Sequence, residues 1–152
     1  MNLETIFINT TQSIFNVPAE AIVNPVNCVG VMGAGLAKRF KQKYPKMYYE
    51  YKRICCEDRL SPGGTYVFFD VPTNTHIINV ATKDHWNSPS TYRYIVDGLF
   101  SINAEIKKYR IRSICIPKIG CGLGGLDWNI VYGHIRDIIH NENDELTVYT
   151  YE

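Results

Sequence analysis

Two glycine-rich stretches constrain this chain more than anything else in it. They are Val29-Gly30-Val31-Met32-Gly33-Ala34-Gly35-Leu36 and Ile119-Gly120-Cys121-Gly122-Leu123-Gly124-Gly125-Leu126. Each lies between an apolar strand pattern and an amphipathic helix pattern. A strand that passes into a helix through such a loop presents several backbone N–H groups and a helix N-terminus to one small region. Glycine keeps side chains out of the path of an approaching anion. Either loop alone is accounted for by a tight turn that needs small residues for packing. Two in one short chain point to a ligand with phosphates and sugars, a pyrophosphate among the candidates.

The surrounding pattern supplies the scaffold. Leu3 to Ile8 reads as a strand, and Glu20 to Val26 carries Ala21-Ile22-Val23, a run suited to a buried strand. From Gly33 the period becomes helical, with Ala37, Phe40 and Tyr44 on one face. Pro45 interrupts that helix, and Lys46 to Glu57 continues as a second short one. After a turn at Ser61-Pro62-Gly63-Gly64, Thr65 to Asp70 and His76 to Ala81 read as a hairpin closed by Val71 to Thr75. The polar loop Thr82 to Ser90 leads into a helix with the stripe Ile95, Leu99, Ile102, Ile106 and Tyr109, and Ser90 is its expected cap. Ser113 to Ile116 is a short buried strand ended by Pro117. Trp128, Val131, Ile135 and Ile138 mark a last helix with Asp127 as N-cap, and Leu146 to Tyr151 a last strand. The order β, β, α, β, β, α, β, α, β predicts an α/β layered fold with a mixed sheet, as one domain over residues 1–152. Both glycine loops and the Thr82 loop fall at the carboxyl ends of strands, where ligands settle in open α/β sheets.

Composition narrows the partners. The net charge is only +1, so an anionic ligand must be held by local geometry rather than by a basic field. Five cysteines are an odd count without CxxC spacing, which fits reduced thiols better than a zinc site or a disulfide framework. The opening Met-Asn-Leu-Glu has no basic leader, and no stretch approaches the roughly 18 apolar residues of a membrane span. The chain is expected to be cytoplasmic, with no metal and no membrane partner.

Two segments besides the loops carry candidate chemistry. Asn27 ends the second strand pattern, and its amide suits a sugar hydroxyl or a positioned water as well as it suits bracing its own turn. Lys83, in Thr82-Lys83-Asp84-His85-Trp86-Asn87, stands at a strand end near an indole, where a lysine can have its pKa lowered and act as nucleophile or base. His85 is placed to shuttle a proton. His76, His134 and His140 show no metal-like spacing. The run Lys41 to Arg53, with Tyr44, Tyr48, Tyr49 and Tyr51, reads as a solvated helical face in preference to a nucleic-acid surface. Neither loop spells Gly-x-Gly-x-x-Gly with a following acidic strand end, and no Gly-Lys-Ser/Thr follows, which argues against dinucleotide dehydrogenases and P-loop enzymes.

As a set, Asn27 to Ala37, Thr82 to Trp86 and Pro117 to Trp128 resemble the macrodomain family over essentially the whole chain. The chain is similar to the branch holding the terminal ADP-ribose protein glycohydrolases and the antitoxins that strip ADP-ribose from DNA. Yeast-type ADP-ribose-1″-phosphate phosphatases resemble this branch as well. The resemblance implies a three-layer α/β/α sandwich that binds ADP-ribose in a cleft over the sheet without a cofactor. By motif, Asn27 would face the distal ribose, and Gly33, Ala34, Gly35 and Leu36 would line that ribose and the phosphates. Ile119, Gly120, Cys121, Gly122, Leu123 and Gly124 would wrap the pyrophosphate, and Tyr151 would sit near the adenine. Asn9-Thr10 stand where many macrodomains carry a Gly-Asp pair that reads the adenine, so adenine recognition is expected to be weaker or to use other groups. Lys83 matches the lysine that acts at the anomeric carbon.

Gly124 stands where the glutamate-directed glycohydrolases carry an aspartate, and the run Gly124 to Trp128 looks closer to the DNA-directed enzymes. The expectation is a monomeric hydrolase that removes ADP-ribose from an acceptor, a DNA base favoured over a protein carboxylate. The alternatives are a 1″-phosphatase and a non-catalytic reader of ADP-ribose.

Overall fold

The computed structural model describes residues 4–152; Leu3, the expected start of the first strand, lies outside the described residues. The elements in chain order are β1 (Thr5–Asn9), β2 (Ala21–Val26), α1 (Gly35–Lys43), α2 (Pro45–Cys56), β3 (Thr65–Asp70), β4 (Thr75–Ala81), α3 (Tyr92–Lys108), β5 (Ser113–Cys115), α4 (Trp128–Ile138) and β6 (Leu146–Thr150). The sheet runs β1-β6-β5-β2-β4-β3. Only the β3–β4 hairpin is antiparallel, so the sheet is mixed, as the sequence predicted.

Alternation along the strands builds a core on each face of the sheet. On β2, Ala21 and Val23 pack with α3 and α4, through Ile95, Leu99, Ile102, Val131 and Ile135. Ile22 and Val26 point the other way and pack with α1 and α2, through Phe40, Met47 and Tyr51. That gives the three-layer α/β/α architecture. Pro45 opens α2 directly after α1, and Tyr44 serves as the C-cap of one helix and the N-cap of the next.

Two local expectations change. Thr91, not Ser90, caps α3: its hydroxyl accepts from the Tyr94 N–H, which leaves Ser90 buried one residue earlier. Tyr109 is not the end of the buried stripe, because α3 stops at Lys108 and the Tyr109 ring turns out to meet His76, itself against Phe69. Asp127 caps α4 as expected, its carboxylate accepting from Asn129 N–H at 2.9 Å. No helix of the described residues is long and apolar enough to cross a membrane.

Topology decides where a ligand can go. The chain leaves β2 for α1 and α2 on one face and leaves β5 for α4 on the other. β2 and β5 are neighbours, so the crevice between their carboxyl ends is a topological switch point. The two strands pair only at Ala21 and Ile22 on β2 and separate beyond. Pro25 lies past that limit, so its missing N–H breaks no bond to β5.

Candidate functional site

A cleft of about 960 Å³ opens at that switch point, within the size range of small-molecule sites. Its lining comes from the end of β2 (Pro25 to Asn27), the two glycine loops, the β4–α3 loop at Thr82, Lys83, Trp86 and Ser90, and the exit of β5 at Pro117 and Lys118.

The first loop is built on Asn27. Its Oδ1 accepts from the N–H of Val29 at 3.0 Å and of Val31 at 3.4 Å, and its Nδ2 donates to the Val31 carbonyl at 2.8 Å. The Tyr51 hydroxyl lies 2.7 Å from the Asn27 carbonyl and 2.9 Å from Oδ1, one proton shared between two acceptors. Burial, then the neighbouring Cys55 thiol, push the Tyr51 pKa far up, so it stays a donor. Asn27 therefore braces its turn, yet an amide nitrogen carries two hydrogens and only one is used, so a second N–H remains on the cleft lining.

Backbone pairing brings the β4 exit to the β2 exit. Thr82 N–H donates to the Val26 carbonyl, which carries the β2–β4 register one pair further and sets Asn27 opposite Thr82, and Cys28 N–H donates to the Asp84 carbonyl, past the regular register. Lys83, next after Thr82, and Asn27 both line the cleft. Among the described residues the Lys83 ammonium makes no ion pair, hydrogen bond or aromatic contact. The other lining lysine, Lys118, is turned over the Trp128 ring at 5.8 Å. Trp86 pairs with His85 at 5.2 Å between ring centroids rather than with Lys83.

Both glycine loops present unpaired donors. In the first, Ala34 is the N-cap of α1 and supplies no side-chain bond; the N–H groups of Gly33, Ala34, Gly35, Leu36 and Ala37 have no acceptor among the described residues. In the second, the N–H groups of Gly120, Gly122, Leu123 and Gly124 are likewise free. Gly120 has φ +73, and a Cβ there would come within 2.9 Å of Ile95 Cδ1, so the loop needs glycine at that point. These donors, with the α1 N-terminus, form an anion cradle with no formal charge in it.

Four of the expected site residues do not line the cleft. Ile119 is fully buried in the core, and only its backbone belongs to the loop. Asn9 and Thr10 are tied to the end of β6: Thr150 Oγ1 donates to Asn9 Oδ1, and Thr10 N–H to the Thr150 carbonyl. The Tyr151 hydroxyl donates to the Gln12 carbonyl at 2.8 Å and lies beside Cys115. Conversely, Tyr51 holds the Asn27 loop and Ser90 lines the cleft, and the sequence by itself indicated neither. Nothing local marks a helical tyrosine 24 residues from the asparagine it holds. Ser90 looked like a cap, but its buried Oγ has no partner and packs against Gly124.

Burial holds the thiols of Cys28, Cys115 and Cys121 toward their neutral form. Burial, the Asp84 carboxylate and Cys55 push Cys28 up to about 12, and burial pushes Cys115 up to about 11 and raises Cys121. Among the described residues no group of three His, Cys, Asp or Glu is placed to hold a metal ion.

A mixed sheet between two helical layers, with a backbone cradle at the switch point, defines an α/β/α ligand-binding domain. The Macro domain family model matches residues 23–134, and the chain belongs to this family. The DNA ADP-ribosyl glycohydrolase of Mycobacterium tuberculosis is 44% identical over 116 residues, which are 74% of this chain and 32% of that one. The solved macrodomain of Mycobacterium tuberculosis DarG superposes with a TM-score of 0.92 at 34% identity, covering 98% of this chain and 99% of that one. Thermosipho africanus DarTG in complex with ADP-ribose gives a TM-score of 0.86 at 29% identity over 95% of this chain and 41% of that one. The chain spans 32–39% of the length of the Mycobacterium tuberculosis and Thermus aquaticus DNA ADP-ribosyl glycohydrolases it matches.

Proposed function

We propose that this macrodomain is an ADP-ribosyl hydrolase that cleaves the glycosidic bond between ADP-ribose and a modified acceptor, a DNA base in preference to a protein carboxylate. The observation that carries the proposal is that Lys83, just past β4, and Asn27, just past β2, line the same cleft as two loops of unpaired N–H groups. Its relatives, several of them DNA ADP-ribosyl glycohydrolases, favour the DNA base.

In this reading the diphosphate lies on the N–H groups of Gly120, Gly122, Leu123 and Gly124 and the α1 N-terminus, which hold the ligand without a counter-ion. The spare Asn27 N–H donates to a hydroxyl of the distal ribose. That fixes the anomeric carbon next to Lys83 Nζ, which acts at that carbon or on the group leaving from it. Water oxygen bonds to the carbon as the bond to the acceptor breaks; the electron pair leaves with the acceptor, which regains a proton. The proposal includes a monomeric chain in the cytoplasm.

The test is incubation of wild type and Lys83→Ala with DNA carrying ADP-ribosylated thymidine, following free ADP-ribose. Wild type is expected to release it, and Lys83→Ala to be slower by about 10²–10⁴-fold. Lys83→Ala as fast as wild type would remove the mechanism. No release by either protein, with ADP-ribose binding intact, turns the assignment to a reader, or to a phosphatase if inorganic phosphate appears from ADP-ribose-1″-phosphate.

A further inference from the structure

Apolar side chains left in water lie along the cleft lining. Each of the three loops contributes one: Val31 from the first glycine loop (39% exposed), Trp86 from the β4–α3 loop (56%) and Leu123 from the second glycine loop (78%). A large indole more than half exposed on a loop has no folding role that accounts for it. It is nevertheless held in place. The His85 ring packs beside it at 5.2 Å, and His85 Nδ1 lies 2.5 Å from Asn87 Oδ1.

We infer that Trp86 is a stacking platform for the acceptor nucleobase. The inference rests on the hydrolase reading, because that reading places the anomeric carbon at Lys83, three residues from Trp86 on the same loop. The acceptor then leaves the cleft past the indole. A base drawn to the cleft by its ADP-ribose leaves the stacking partners of its own strand, and an indole face replaces one of them. A glutamyl side chain has no flat face to offer, so the same ring gives a protein acceptor nothing comparable. His85 and Asn87 set the orientation of the platform and are positioning residues.

Binding separates this from the hydrolase reading. The affinities of ADP-ribose, of a single-stranded oligonucleotide carrying ADP-ribose on one thymine, and of an ADP-ribosylated glutamyl peptide are measured. Lys83→Ala serves as the background so that no probe is consumed. The oligonucleotide is expected to bind about 5- to 100-fold more tightly than ADP-ribose. Adding Trp86→Ala should abolish that advantage, Trp86→Phe should restore most of it, and neither should move ADP-ribose affinity more than about twofold. The oligonucleotide should also quench indole fluorescence, and Trp86→Phe should remove that quench; Trp128 is the one other tryptophan. An advantage that survives Trp86→Ala overturns the inference. So does a parallel loss of ADP-ribose affinity, which would put the adenine on Trp86, or an equal Trp86-dependent gain for the peptide. Failure of wild type to release ADP-ribose from the same oligonucleotide would overturn the hydrolase reading instead, in a separate readout.

Discussion

Two glycines of the second loop, two residues apart, should respond to substitution in opposite ways. At Gly122 a Cβ would meet no protein atom within 4 Å, and its φ is outside the left-handed region, so a side chain there enters open space on the cleft lining. Gly122→Val should leave the fold intact, because no contact is strained and the unfolded chain loses freedom. The valine would instead occupy the space above the N–H groups of Gly122, Leu123 and Gly124. Loss of two bonds to a charged phosphate, at about 1.5–3 kcal/mol each, is about 3–6 kcal/mol, or about 10²–10⁴-fold in ADP-ribose affinity. Gly124 is the counter-case. A Cβ there would overlap Ser90 Oγ and stand 2.5 Å from the Gly120 carbonyl oxygen, which is backbone and cannot rotate away. Gly124→Ala should cost about 1–3 kcal/mol of stability, a melting point lower by roughly 2–12 °C in a chain of this size. The assay is thermal unfolding without ligand, paired with calorimetric titration of ADP-ribose. Unchanged affinity in Gly122→Val would refute the cradle, since every account of it requires a diphosphate on those N–H groups. A Gly122→Val melting point as low as that of Gly124→Ala would refute the distinction between the two glycines.

Tyr51→Phe keeps the shape of a fully buried ring but removes the donor to the Asn27 carbonyl and Oδ1; it should cost about 1–3 kcal/mol and weaken ADP-ribose binding through the slackened first loop. Thermal unfolding and titration of that variant check it, and a melting point within a degree of wild type would count against Tyr51 as the brace. The pH behaviour of Cys28 follows from its raised pKa. A thiol with pKa about 12 stays neutral across pH 6–9, so alkylation at Cys28, read by mass spectrometry, should stay slow there and accelerate only in strong alkali. Rapid alkylation of Cys28 at pH 7.5 would contradict that environment.

The element order, the mixed sheet and the position of both loops at strand ends were legible in the chain because they rest on local physics: hydrophobic period, turn residues and caps. Pro45 shows it well, since a proline in the first turn of a helix gives up only an N–H that would have no helical partner, whatever packs around it. The motifs around Asn27, Lys83 and Gly120 were legible for the same reason, as short runs with strict backbone demands. Ser90 and Thr91 mark where local reading stops. Both are good caps, and only the packing of Ser90 against Gly124 decides which one is used. Likewise the bond from Tyr51 to Asn27, the separation of β2 from β5 past Ile22, and the ties of Asn9, Thr10 and Tyr151 to neighbouring backbone arise between segments far apart in the chain. Amino-acid order determined which loops can cradle an anion. Only the tertiary structure, by pairing β4 with β2 in parallel so that their exits lie side by side, decided that the cradle and the lysine share one cleft.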